Sequence, residues 1–179
     1  MKSLDDLKGL IRSIPDFPKP GILFRDITTL IGHGDGFADA VAHLEQRVQQ
    51  VDGEAIAGIE ARGFIFGAAV AAGLRLPFLQ IRKPGKLPVP VLAIDYALEY
   101  GTDTLEIDPG SVPSAGKVVL IDDLIATGGT ATAATELLVR AGATIDHALF
   151  VIDLPDLGGA ERLRAKGLSV DALMGFPGH

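Results

Sequence analysis

Apolar residues in the first third of the chain recur at helical spacing. Leu4, Leu7 and Ile11 follow Ser3, an N-capping residue type, and predict a short helix that stops before Pro15. Pro15, Pro18 and Pro20 make the next stretch extended or turning. From Asp35, read as a cap, the stripe Phe37, Val41, Leu44, Val48 and Val51 predicts a second helix ending near Gly53. The period then changes. Residues 55–59 form a short apolar run of the kind buried in a parallel sheet. An alanine-rich helical stretch over 64–74 and another apolar run over 76–81 complete a strand–helix–strand unit. Residues 84–103 carry no sustained period and predict a long loop or hairpin, a length at which loops in compact domains often act as lids. Residues 117–121 predict a third buried strand. A helix over 130–141 follows, with Ala134, Leu137, Leu138 and Ala141 on one face and Gly142 as its C′ residue. A strand over 148–152, a short helix over 161–166 and a fifth strand over 168–173 end the pattern.

Strands alternating with helices imply an α/β fold: a mainly parallel central sheet flanked by helices, one domain over residues 1–179. Composition changes this picture in a few ways. Glycine is raised, at 22 of 179 residues or about 12% against a usual ~7%, which suits turns and close backbone approach to a ligand. The net charge of −7 argues against a broad basic face for nucleic acid. Cysteine is absent, so neither disulfides nor thiolate chemistry is available. Asp5 and Asp6 stand where a signal peptide needs an apolar core, and uncharged stretches such as 63–74 are too short to span a bilayer. The expectation is a soluble cytoplasmic protein with neither a nucleic-acid nor a membrane partner.

Ligands of open α/β sheets bind beyond the carboxyl ends of the strands. Three such ends carry unusual residues: Glu60-Ala61-Arg62-Gly63, Arg82-Lys83-Pro84-Gly85-Lys86, and residues 122–130. In the last, an apolar strand meets Asp122 and Asp123, and Ala126-Thr127-Gly128-Gly129-Thr130 then opens a helix. The glycines let backbone N–H groups converge, the helix dipole favours an anion, and two threonine hydroxyls can donate. This describes a phosphate cradle. It lacks the Gly-Lys-Ser/Thr ending of a nucleoside-triphosphate loop. The acid pair can accept from two vicinal ribose hydroxyls, or hold Mg²⁺ through its waters. The histidines do not compete for a metal role: His33 reads as a turn residue, His43 as lying on a helix face, His147 as a strand start. Ser13 and Ser111 have no evident base.

The segment Val119-Leu-Ile-Asp-Asp-Leu-Ile-Ala-Thr-Gly-Gly-Thr130 resembles the 5-phosphoribosyl-1-pyrophosphate (PRPP) motif of the type I phosphoribosyltransferases. Further resemblance runs through Phe17-Pro-Lys-Pro-Gly-Ile-Leu-Phe-Arg-Asp-Ile-Thr28, Glu60-Ala-Arg-Gly-Phe-Ile-Phe-Gly67, Ile81-Arg-Lys-Pro-Gly-Lys-Leu-Pro88, Leu98-Glu-Tyr-Gly101 and Phe176-Pro-Gly-His179, nearly the full length. The Pro-Gly-Ile-Leu-Phe-Arg-Asp and Leu-Glu-Tyr-Gly elements are similar to those of members that take adenine. Ile94-Asp95-Tyr96 departs from the family, standing where a Ser/Thr-rich stretch is common.

The resemblance implies a PRPP- and Mg²⁺-dependent enzyme that makes AMP and pyrophosphate from adenine, working as a homodimer. It implies a base-binding hood over residues 1–34 and a lid over 84–103. Asp122 and Asp123 would take the ribose hydroxyls, and Ala126, Thr127, Gly128, Gly129 and Thr130 the 5-phosphate. Ala61, Arg62, Arg82, Lys83 and Lys86 would meet the pyrophosphate, with the Ala61–Arg62 peptide cis. Leu23, Phe24 and Arg25 would receive adenine, with Phe24 packed on its ring. Glu99 would take the N9 proton and Tyr100 would help close the lid. Two alternatives stay open: a phosphoribosyltransferase for xanthine or another base, and a PRPP-sensing regulator without catalysis.

Overall fold

The structure, a computed structural model, describes residues 1–97, 101–113 and 116–178. The chain starts with α1 (Leu4–Lys8), where Ser3 and Asp6 form a reciprocal capping box. The strands β1 (Arg12–Pro15) and β2 (Leu23–Asp26) then pair antiparallel, with Ser13 opposite Arg25. The proline-rich stretch is therefore the connection of a hairpin, which the helical reading of Ile11 did not anticipate. After α2 (Thr28–Ile31) comes α3 (Gly34–Gln50). Its cap is His33 rather than Asp35, because the imidazole Nδ1 accepts from the Gly36 N–H at 3.0 Å. The buried line of α3 is Gly36, Ala40, Leu44 and Val48, one step round from Phe37 and Val41, which are half-buried.

Next in the chain are β3 (Ala55–Ile59), α4 (Arg62–Leu74) and β4 (Phe78–Ile81). The stretch read as a long loop or hairpin holds a hairpin, of β5 (Leu92–Ala97) and β6 (Thr102–Ile107), whose second strand runs past residue 103. Then come β7 (Lys117–Ile125), α5 (Gly129–Arg140), β8 (Thr144–Asp153), α6 (Gly159–Arg164) and β9 (Ser169–Gly175).

Five strands form one all-parallel sheet in the order β4-β3-β7-β8-β9. Parallel strands are buried on both faces, and β7 shows it: Val118 and Leu120 point into one core, Val119 and Ile121 into the other. The first core packs α5, α6 and the β5–β6 hairpin through Leu137, Leu163 and Leu105. The second packs α3, α4 and the N-terminal elements through Leu44, Phe66 and Leu7. Each such fully buried side chain contributes roughly 1.5–3 kcal/mol. The chain runs outward from β3 to β4, returns to β7 on the other side of β3, and runs on to β9. The strand order thus reverses between β3 and β7, the place where an open α/β sheet leaves a crevice at its carboxyl edge. Among the described residues, no helix is long and apolar enough to cross a membrane.

Candidate active site

A cleft of about 310 Å³ opens at that reversal. The end of β3 supplies Ile59, Glu60, Ala61 and Arg62. The end of β7 and the loop after it supply residues 122–131, and Lys83 enters from beyond β4. The two acids lie on β7 itself, which runs to Ile125 rather than ending at Ile121. A strand tolerates them because the carboxyl end of the sheet opens there into the cleft. Asp123 is only 4% exposed, and the Arg62 Nε lies 3.0 Å from its carboxylate. The Asp123 N–H donates to the Asp122 carboxylate at 2.9 Å. Burial pushes the Asp122 carboxyl well above the usual carboxylate range, and the negative charge of Asp123 adds to the push. Burial also raises Asp123, against the pull of the Arg62 guanidinium.

Glycines set the shape of the cradle. Gly128 caps α5 at a φ of +79°, a left-handed conformation that side chains disfavour, and a Cβ there would meet the Gly159 carbonyl at 2.8 Å. The Gly159 N–H donates to the Ala126 carbonyl at 3.0 Å, so the loop rests on the start of α6. A side chain at Gly159 would collide with that same carbonyl. Across the cleft, a Cβ at Gly63 would come within 2.6 Å of the Asp122 carboxylate, so the first turn of α4 can approach the acid pair only as glycine. The cis peptide of this turn is Glu60–Ala61, one bond earlier than Ala61–Arg62. Two supports escaped the sequence reading. Gly159 belongs to no recognisable motif. Glu60 belongs to the turn motif, but its work as an anchor depends on a contact 22 residues away. Its carboxylate accepts from the Arg82 Nε and the Lys83 N–H, both at 2.9 Å. These bonds outweigh burial and hold it below the usual range.

The basic residues beyond β4 divide. Lys83 lines the cleft, its ammonium bonded to the Tyr96 hydroxyl at 2.9 Å and to the Asp103 carboxylate, both on the β5–β6 hairpin. Burial opposes its charge, and the bonds to Asp103 and Tyr96 outweigh that and raise it above the ordinary lysine value. Arg82 does not line the cleft: besides its bond to Glu60, its guanidinium lies over the Phe64 ring, 5.6 Å from the centroid. Lys86 is exposed and near enough to Glu60 to favour its ionised form.

Leu23, Phe24 and Arg25 sit on β2, outside this cleft. Leu23 and Phe24 are half-buried, with Phe17 edge-on to Phe24 at 5.2 Å. The N-terminal elements share the second core with Leu154, just after β8, and Phe176, just after β9. The β1–β2 hairpin therefore stands at the same carboxyl edge of the sheet as the glycine loop. Glu99 and Tyr100 lie outside the described residues. Ser13 accepts from Arg25, and His147 pairs with Asp146 at 2.5 Å, so neither enters the cleft.

Comparison with known proteins agrees with this architecture. Residues 29–166 match the family described as the phosphoribosyl transferase domain. The chain belongs to the phosphoribosyltransferase family, with its type I fold. The adenine phosphoribosyltransferase of Novosphingobium aromaticivorans is 65% identical over 175 residues, 98% of each chain. That of Erythrobacter litoralis is 63% identical over 177 residues, 99% of each. The crystal structure of adenine phosphoribosyltransferase from Thermoanaerobacter pseudethanolicus superposes with a TM-score of 0.91 at 41% identity, covering 97% of this chain and 100% of that one. Within its family the chain belongs with the adenine phosphoribosyltransferases.

Proposed function

We propose that this protein transfers the 5-phosphoribosyl group of PRPP to N9 of adenine, releasing pyrophosphate and forming AMP, as a purine-salvage enzyme of the cytoplasm. The observation that carries the reading is the acid pair at the end of β7 leading straight into a glycine loop that opens α5 at the sheet's reversal point. In the reaction the C1′–oxygen bond to pyrophosphate breaks, positive charge grows on the ribose, and N9 bonds to C1′ as it loses its proton. Ala126, Thr127, Gly128, Gly129 and Thr130 hold the 5-phosphate through backbone N–H groups and hydroxyls. Asp122 and Asp123 accept from the ribose hydroxyls, which fixes C1′ in line. Ala61, Arg62 and Lys83 face the departing pyrophosphate, with Arg82 and Lys86 adding positive charge behind them. Leu23 and Phe24, with the main chain of Arg25, bind adenine. Glu99 receives the N9 proton, and Tyr100 helps close the site against water.

The donor set suits Mg²⁺: two adjacent carboxylates beside a phosphate cradle suit an ion that keeps its waters and shares substrate oxygens. When bound, the metal would supply charge neutralisation of the pyrophosphate.

The homodimer is proposed to form through α4, whose outer face carries Ile65, Ala68 and Ala72 exposed and no charge beyond Arg62.

The test is turnover with PRPP and Mg²⁺ against a panel of bases. AMP from adenine, with hypoxanthine, guanine and xanthine near background, is expected. Turnover of xanthine without adenine would overturn the base assignment, and PRPP binding with no turnover of any base would point to a regulator.

A further inference from the structure

Arg25 stands one residue from Phe24 on β2, yet its side chain turns away into the protein and is 9% exposed. Its Nη1 donates to the Ser13 hydroxyl at 2.6 Å, and its Nη2 donates to the Pro177 carbonyl at 2.8 Å, 152 residues along the chain. The guanidinium lies over the Phe176 ring, 4.7 Å from the centroid, and the Lys8 ammonium lies 4.9 Å from the same centroid. Phe176 is itself buried, and its N–H donates to the Asp153 carbonyl at 3.0 Å. One residue beyond Pro177, the Gly178 N–H donates to the Asp156 carboxylate at 2.7 Å. A single guanidinium thus fastens β1, β2 and the C-terminal segment, and that segment is fastened in turn to the end of β8.

The arrangement is poorly explained as a source of stability. Among the described residues no carboxylate pairs with Arg25, and its buried Nε has no hydrogen-bond partner. Burying a charge without a counter-charge is costly, and an apolar residue of similar volume would fill the space more cheaply. What the guanidinium adds is direction. Its planar fork sets two hydrogen bonds at fixed angles while its face rests on an aromatic ring. A two-stranded hairpin is marginal alone, so the position of β2 depends on what it is fastened to.

We propose that Arg25, with Phe176 and Pro177, is a positioning device for the base. Its side chain clasps β2 to the C-terminal segment, and the backbone of residues 23–25 then presents adenine with a fixed pattern of donors and acceptors. The C-terminal segment becomes a determinant of base affinity and selectivity. This rests on the reading that β2 receives adenine. A backbone held in place distinguishes a 6-amino from a 6-oxo purine, because donor and acceptor swap between them, and a loosened one discriminates less.

The experiment compares Arg25→Met, Arg25→Lys, Phe176→Leu and the Arg25→Met/Phe176→Leu pair with Phe24→Ala, all in the full chain. It measures kcat, KM for each substrate, and the ratio of adenine to hypoxanthine turnover. Arg25→Met and Phe176→Leu should each raise KM for adenine about tenfold and lower the adenine preference. KM for PRPP and kcat should stay within about twofold. Arg25→Lys should recover part of the loss, and the double variant should be no worse than the worse single, since both act through one clasp. Equal rises in both KM values, or a fall in kcat with adenine KM unchanged, would overturn the clasp. If Phe24→Ala raises adenine KM and the clasp variants do not, the clasp alone fails. If Phe24→Ala leaves it unchanged, the base-site reading fails. Should Arg25→Met not fold, Phe176→Leu decides by itself, since it removes only the aromatic face.

Discussion

The cradle and the hood stand at one edge of one sheet and are built in opposite ways. The cradle is made of main chain. Residues 126–130 are shaped by the left-handed Gly128 and supported at Gly159, and both ends are fixed in the central strand β7 and in α5. The hood hairpin is two short strands that pair only with each other, tied across the pair by Arg12 to Asp26 at 2.5 Å and fastened to the C-terminal segment by Arg25 to Pro177. Their electrostatics also oppose. Burial raises the cradle acids Asp122 and Asp123 above their ordinary values. In the hood, hydrogen bonds from Thr28 first, then Arg12, lower Asp26 to about 2. On the proposed reading the cradle takes a phosphate that is the same whatever the base, so rigid backbone serves it. Base choice is a matter of fine position, and side-chain fastenings can adjust it without disturbing the cradle.

The largest expected effect falls on the cradle. Gly159→Val places a side chain against the Ala126 carbonyl and should lower kcat/KM for PRPP by about a hundredfold or more. A variant with normal PRPP kinetics would show that the loop does not depend on its seat.

Next is the acid pair. Asp123→Asn should cost about tenfold to a hundredfold in kcat/KM for PRPP and leave Arg62 without its partner. Because both native carboxyls titrate above the ordinary value of about 4, the wild-type profile should fall on the acid side from a pH higher than that. A profile flat down to pH 4 would exclude a role for their charge.

In the hood, Phe24→Ala should raise KM for adenine about tenfold through lost ring contact and spare PRPP.

The smallest effects concern stability against pH, and there the two regions should differ in sign. Asp26 has a lowered native value, so its contribution is complete above about pH 4 and is lost as pH falls towards 2. The cradle acids have raised native values, so the folded state binds more protons. Their effect on stability is most favourable below about pH 4 and declines as pH rises through their native range. Melting curves of Asp26→Asn and Asp123→Asn from pH 2 to 8 separate the two. Identical pH slopes in both variants would refute the contrast.

What the sequence made legible follows the same division. The run 55–59 needs burial on both faces, so β3 matched its expected bounds. Gly128 and Gly129 signal a turn into a helix through local chemistry alone, and the loop lies where the pattern put it. The hood hairpin was hidden because Pro15, Pro18 and Pro20 interrupt any alternation over β1 and its turn. Its fastening to Pro177 could not be read, since nothing local to Arg25 names a carbonyl 152 residues away. The bond from Lys83 to Asp103 was equally invisible, because residues 84–103 show no period although two strands form near and within them. Helix α3 was placed with its buried line one step off, because Gly36 and Ala40 are small residues that a hydrophobic stripe passes over.

The most direct test of two separately built half-sites is a crossed measurement of KM for adenine and for PRPP in Gly159→Val and Phe24→Ala. Gly159→Val is expected to raise only the PRPP value and Phe24→Ala only the adenine value. A comparable rise in both values for either variant would contradict it, and would mean that cradle and hood form one continuous site.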